Sequence, residues 1–162
     1  GYGSALLASC IEDARRQGKS GVCMLGAQKQ KAWLSDQSFA RRFGFETVDA
    51  TPDGYELLAL RLDGADGATS PRFSPSVTQR IDDKGLVVYY DMQCPFIPAR
   101  VAVLQKYCAE QGIPARFVEV DSLAAAKSLP CVFNNWAVFY GGTFQTVNQL
   151  DPTALERILK RK

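Results

Sequence analysis

Gly1-Tyr2-Gly3-Ser4-Ala5-Leu6-Leu7 opens the chain with two glycines directly ahead of a helical pattern. Leu6, Leu7, Cys10, Ile11 and Ala14 recur at helical spacing, Glu12, Asp13, Arg15 and Arg16 take the other face, and Gly18 marks the end. The first amides of a helix have no partner within it, and the positive end of its dipole lies among them. A phosphate can therefore rest there without a basic side chain, and glycine lets the backbone come close. Gly1, Gly3 and Ser4 are thus the candidate anion-binding residues.

Working outward, Gly21-Val22-Cys23-Met24-Leu25-Gly26 is a continuous apolar run between glycines, the pattern of a strand buried on both faces of a sheet. Ser35 is placed to cap a second helix, with Asp36 in its first turn, Arg41 and Arg42 in its last, and Gly44 beyond it. Phe39 and Phe43 lie one turn apart on that helix. Glu46 to Ala50 and Tyr55 to Leu62 read as strands joined through Thr51-Pro52-Asp53-Gly54, an antiparallel hairpin.

Composition narrows the function. The chain has 162 residues, 46% hydrophobic and 22% charged, enough for one ordinary domain or two small ones. Nineteen basic against seventeen acidic residues leave a formal charge of +2, which points to neither a nucleic-acid groove nor a membrane-binding patch. No apolar stretch approaches bilayer-spanning length. Histidine is absent, so Ser-His-Asp and Cys-His nucleophile pairs and histidine metal sites are excluded within the chain. The five cysteines, Cys10, Cys23, Cys94, Cys108 and Cys131, include no C-x2-C spacing and are odd in number. A reducing, cytoplasmic setting and no metal are expected. Cys10, Cys23 and Cys108 fall on apolar positions and are expected to be buried.

The order helix, strand, helix, hairpin, entered through Gly1-x-Gly3 and leaving the second helix at Phe43-Gly44-Phe45-Glu46, resembles the C-terminal half of a GNAT-superfamily acetyltransferase over residues 1–62. That resemblance implies acetyl-CoA as co-substrate, its diphosphate held by the amides of Gly1, Gly3 and Ser4, and an amine as acetyl acceptor. It also implies that the strands forming the other side of the cofactor cleft fall outside these residues. Where the family commonly carries a tyrosine to reprotonate the departing thiolate, this sequence has Ala40, and the adjacent Phe39 has no proton to give. The unpartnered edge of such a half-sheet predicts pairing with a second copy.

Residues 63–84, rich in Gly, Ser, Pro and Asp and without periodicity, read as a linker. From residue 85 to 162 the pattern is strand, helix, strand, helix, strand, strand, helix, with Gly141-Gly142 at a hairpin turn and Asp151-Pro152 opening the last helix. The fold class is therefore α/β (α+β): a partial GNAT-like sheet with two helices, then a βαβαββα unit.

That second unit is similar to the thioredoxin-like fold, with Cys94-Pro95-Phe96-Ile97 where the redox motif falls and Leu129-Pro130 where the fold places a cis-proline. Ile97 replaces the second cysteine, which leaves a monothiol, and the resemblance brings Cys131 towards Cys94 as disulfide partner or fellow wall of a notch. Two alternatives to acetyl transfer follow: thiol redox chemistry or thiol-dependent binding at Cys94, and a non-catalytic module that binds substrate or partner. Trp136, Phe139 and Tyr140 read as core. The two parts in this order resemble the YoaP-type GNAT proteins.

Overall fold

The structure, a computed structural model, describes residues 1–31, 33–34, 36–62, 67 and 69–160. The expected cap Ser35 and residues 63–66 and 68 of the expected linker lie outside them. The chain is of mixed α/β class, with two sheets and five helices among the described residues. It forms two compact units, Gly1–Phe73 and Ser74–Lys162.

The first unit contains α1 (Tyr2–Arg16), β1 (Gly21–Ala27), α2 (Gln37–Arg41), β2 (Glu46–Ala50) and β3 (Tyr55–Arg61). Its antiparallel sheet has the order β1-β3-β2. The hairpin forms as expected, with Gly54 at φ +86° in its turn. Leu7, Ile11 and Ala14 of α1 and Phe43 beyond α2 pack with Val22, Met24, Leu58 and Leu60, so one face of the sheet carries the core.

Several sequence expectations change here. The α1 helix begins at Tyr2 with Gly1 as its N-cap, which puts Gly3 inside the first turn rather than in a loop before it. Because β3 inserts between β1 and β2, β1 pairs among the described residues with β3 alone, on one side, instead of lying between two strands. Its alternate residues face away from the helices, so Cys23 is exposed. Cys10 is also exposed, and Leu6 beside it is 67% accessible, because only the Leu7–Ile11–Ala14 stripe of α1 meets the sheet. The cap of α2 is Asp36, which accepts from the Ser38 amide at 2.8 Å.

The second unit contains β4 (Leu86–Tyr90), α3 (Ile97–Glu110), β5 (Ala115–Glu119), α4 (Leu123–Lys127), β6 (Trp136–Tyr140), β7 (Thr143–Thr146) and α5 (Pro152–Leu159). Its sheet order is β5-β4-β6-β7. The β4–β5 pair is parallel, as the helical crossover α3 requires, and the other two pairs are antiparallel. Leu86, Val88, Trp136 and Val138 meet Ile97, Val101, Leu104 and Cys108 of α3 and Leu155 and Ile158 of α5. The expected burial of Cys108, Trp136 and Phe139 holds.

Strand β6 begins only at Trp136, because Cys131 to Asn135 form an irregular turn instead of ladder. Residues 79–81 lie along β7: the Ile81 amide donates to the Gly142 carbonyl at 3.0 Å and the Phe144 amide to the Gln79 carbonyl at 3.1 Å. This close approach needs glycine at 142, where φ is +80° and a Cβ would stand 2.9 Å from the Ile81 carbonyl oxygen. The expected cis-proline is not found, since every described peptide bond is trans, Leu129–Pro130 included.

Candidate functional site

The Ala5 amide donates to the Gly1 carbonyl at 3.1 Å, the first backbone bond of α1. The amides of Tyr2, Gly3 and Ser4 belong to the first turn and have no acceptor within the helix. Gly1 supplies no capping side chain, and the first turn holds no acidic residue to compete for them. The positive dipole end of this fifteen-residue helix lies among these amides.

Gly3 is not demanded by the fold: its φ is not positive, and a Cβ there would lie 3.6 Å from Phe39 Cζ, an ordinary contact. A helical glycine costs about 0.8–1.0 kcal/mol against alanine, and nothing in the packing explains accepting that at position 3. Phe39 thereby joins α2 to the first turn of α1, and the Arg42 guanidinium sits 5.8 Å from the centre of the same ring.

Ala40, on α2, is wholly buried. A tyrosine is not accommodated there without repacking, so the position offers no proton donor.

Two features of this unit had escaped sequence reading. Glu56, 9% accessible on β3, accepts from Gln37 Nε2 at 2.6 Å and Thr47 Oγ1 at 3.4 Å and faces the Arg41 guanidinium at 3.7 Å. It ties α2 to the hairpin. Its one sequence signal is an acidic residue inside the otherwise apolar start of β3. The second feature is a cleft of about 420 Å³ lined among others by Cys23, Glu46, Val48, Ala59, Arg61 and Ser70. No motif announces it, because its walls come from three strands and a distant segment.

In the second unit Cys94 lies half-buried in the turn before α3, and its Sγ receives Gln149 Nε2 at 3.7 Å. Cys131 is buried and its Sγ donates to the Phe133 carbonyl at 3.3 Å. Neither sulfur is in a disulfide, so the implied Cys94–Cys131 bond is not formed. What ties their two loops together is Asp91, which sequence reading had passed over. Only 3% accessible, it accepts from Asn134 Nδ2 at 3.2 Å, Asn135 Nδ2 at 3.0 Å and the Gln93 amide at 3.0 Å. Its own amide donates to the Asn135 carbonyl at 3.2 Å.

Comparison with known proteins adds three findings. A family model described as YoaP-like matches residues 114–157. The chain is 29% identical over 160 residues to a Bacillus subtilis (strain 168) protein named uncharacterized N-acetyltransferase YoaP; the match covers 98% of this chain and 63% of the relative. The chain therefore spans under two thirds of that relative's length. No solved structure matches. No helix among the described residues is long and apolar enough to cross a membrane.

Proposed function

We propose that this chain carries the C-terminal part of a GNAT-type, acetyl-CoA-dependent N-acetyltransferase domain, followed by an accessory unit of thioredoxin-like type. The observation that carries the reading is the first turn of α1, where Gly3 and Ser4 have amides with no acceptor inside the helix and neither the backbone angle nor the packing at Gly3 requires glycine. Backbone approach by a diphosphate supplies a reason for it. The name of the Bacillus subtilis relative, and the order β1-β3-β2 with α1 and α2 on one face, support it. Acetyl-CoA supplies an activated acyl carbon: a neutral amine adds to it, the C–N bond forms, the C–S bond breaks, and the amine proton leaves. With Ala40 where the family commonly has tyrosine, the departing thiolate takes its proton from another group. Isothermal calorimetry of acetyl-CoA on the 162-residue chain tests the reading. Binding that is kept by CoA, which lacks the acetyl group, and lost by acetylpantetheine, which lacks the diphosphate, matches a diphosphate site; no heat with any CoA form counts against it.

A second reading rests on a different observation, the Gln149 N–H directed at Cys94 Sγ. That contact fixes the sulfur in the turn just ahead of α3, the position where the thioredoxin-like fold carries its redox cysteine. The sheet order β5-β4-β6-β7, with one parallel and two antiparallel pairs, supports a thioredoxin-like unit around this monothiol. Slower alkylation of Cys94 in Gln149→Leu is the expected result, and an unchanged rate counts against the reading.

A further inference from the structure

Residues 69–73 run across the sheet face of the first unit that points away from α1 and α2. Val22, Met24, Leu58 and Leu60 enter the helix-side core, so Cys23, Ala59 and Glu46, on the alternate positions of the three strands, face the other way. Ser70 and Pro71 stand against that row and turn a flat face into the cleft of about 420 Å³. Glu46 and Arg61 both line it, so the cleft carries charge of both signs.

A carboxylate ties these residues down, and a break in the ladder aims it. The pairing of β2 with β3 runs Glu46↔Ala59 and Thr47↔Leu58, then resumes at Asp49↔Leu57 and Ala50↔Glu56, which leaves Val48 as the extra residue of a bulge. In an unbroken ladder Asp49 would stand opposite Glu56, on the helix side, and bring a second carboxylate up to one that is already buried. The bulge moves it to the bare face. There Asp49 Oδ1 accepts from the Ala50 amide at 2.9 Å and Oδ2 from the Phe73 amide at 2.9 Å. One oxygen is set by its own strand and the other holds the crossing segment. Phe73 is the last residue of this unit, and the next, Ser74, is held within the second, where its hydroxyl donates to the Lys127 carbonyl at 3.1 Å. The chain thus passes from one anchor to the other with no free residue between them.

We infer that residues 69–73 form a strap that opens and closes over the bare sheet face, with Asp49 as its latch and the Val48 bulge as the device that aims the latch. Closed, the strap walls the cleft; released, it leaves Cys23, Ala59 and Glu46 on an open face. Pro71 and Arg72 are exposed and give the strap little packing of its own, whereas the sheet beneath is held by a full ladder of backbone bonds. The strap therefore opens without the sheet, at the cost of one charge-assisted bond. The inference stands apart from the acetyltransferase reading and is tested without any cofactor.

Arg72 makes the opening measurable, because the peptide bond that trypsin cuts after it carries the latched Phe73 amide. Limited trypsinolysis of the 162-residue chain is followed by mass spectrometry, with cleavage after the exposed Arg80, in the second unit, as the reference. Asp49→Ala is expected to speed cleavage after Arg72 about tenfold or more, the scale of one hydrogen bond to a charged group, and Asp49→Asn, which keeps an acceptor oxygen, less. Glu46→Gln, in the same cleft but outside the latch, leaves that rate unchanged, as all three leave cleavage after Arg80. Hydrogen exchange on the unaltered chain keeps the test open should Asp49→Ala fail to fold. The Phe73 amide is expected to be protected, yet to exchange about tenfold or more faster than the Leu58 amide of the central strand β3. An unchanged Arg72 rate in folded Asp49→Ala, or equal acceleration by Glu46→Gln, overturns the inference. So does a Phe73 amide that exchanges as freely as an unfolded peptide or in step with Leu58.

Discussion

Tyr107 Oη on α3 donates to Glu156 Oε1 on α5 at 2.6 Å, a bond between two helices that pack on the same sheet face. It holds the Glu156 carboxyl below the ordinary value of 4.5, helped by Lys160, and pushes the Tyr107 phenol above 10.0. A lowered acid pKa stabilises the fold above the unfolded value and stops doing so as pH falls through the folded one. A raised phenol pKa stabilises below the unfolded value and is lost as pH climbs through the folded one. The second unit is therefore expected to lose stability at both ends of the pH range. Glu156→Gln removes the acidic limb, and thermal melts of the two proteins from neutral pH down to below 4.5 check this; parallel curves would show the pair to be inert.

Thiol reactivity is expected to follow burial. Cys10 and Cys23 react with a maleimide in the native protein, Cys10 the faster because burial raises the Cys23 thiol. Cys94 follows, and Cys108 and Cys131 wait for unfolding, Cys108 with its thiol pushed up by its apolar surroundings. Native-state labelling read by mass spectrometry tests the order. Early modification of Cys108 contradicts the packing of α3.

Two glycines make opposite predictions. Gly3→Ala keeps or slightly raises the melting temperature, since the new methyl meets only ordinary contact with Phe39 and helix propensity improves. If the diphosphate reading is right, the same change weakens acetyl-CoA binding. Gly142→Ala costs about 1–3 kcal/mol, because φ is +80° and the Cβ collides with the Ile81 carbonyl. Melting curves of both variants, with calorimetry for the first, decide each.

Asp91→Ala leaves the Asn134 and Asn135 amides without their acceptor and is expected to cost about 1–3 kcal/mol. It also loosens the turn that carries Cys94, so alkylation of Cys94 quickens while Cys10 stays constant. An unchanged Cys94 rate separates the network from the thiol.

The elements were largely legible from sequence because each announces itself locally. Gly44 and Gly54 end a helix and turn a hairpin by their positive φ, and Asp151-Pro152 caps α5 as its residue types dictate. What sequence reading missed depends on strand order. The apolar run around Cys23 looks like a central strand, but β3 takes that place, and Cys23 becomes the wall of a cleft. Asp91 carries no signal until the fold brings Asn134 and Asn135 to it across more than forty positions of chain. Periodicity reports which face of an element is apolar; it does not report which neighbour that face meets.

The placement of β3 between its hairpin partner and the first strand also orders the assembly of the sheet in time. The hairpin closes over Thr51 to Gly54, a short loop, whereas the Ala27–Tyr55 pair encloses the whole of residues 28–54. Loop closure costs more for the longer span, so β2 and β3 zip first and β1 docks last. Its amides are then the first of the three strands to exchange with solvent, which makes the strand bearing Cys23 the late and replaceable member of its sheet.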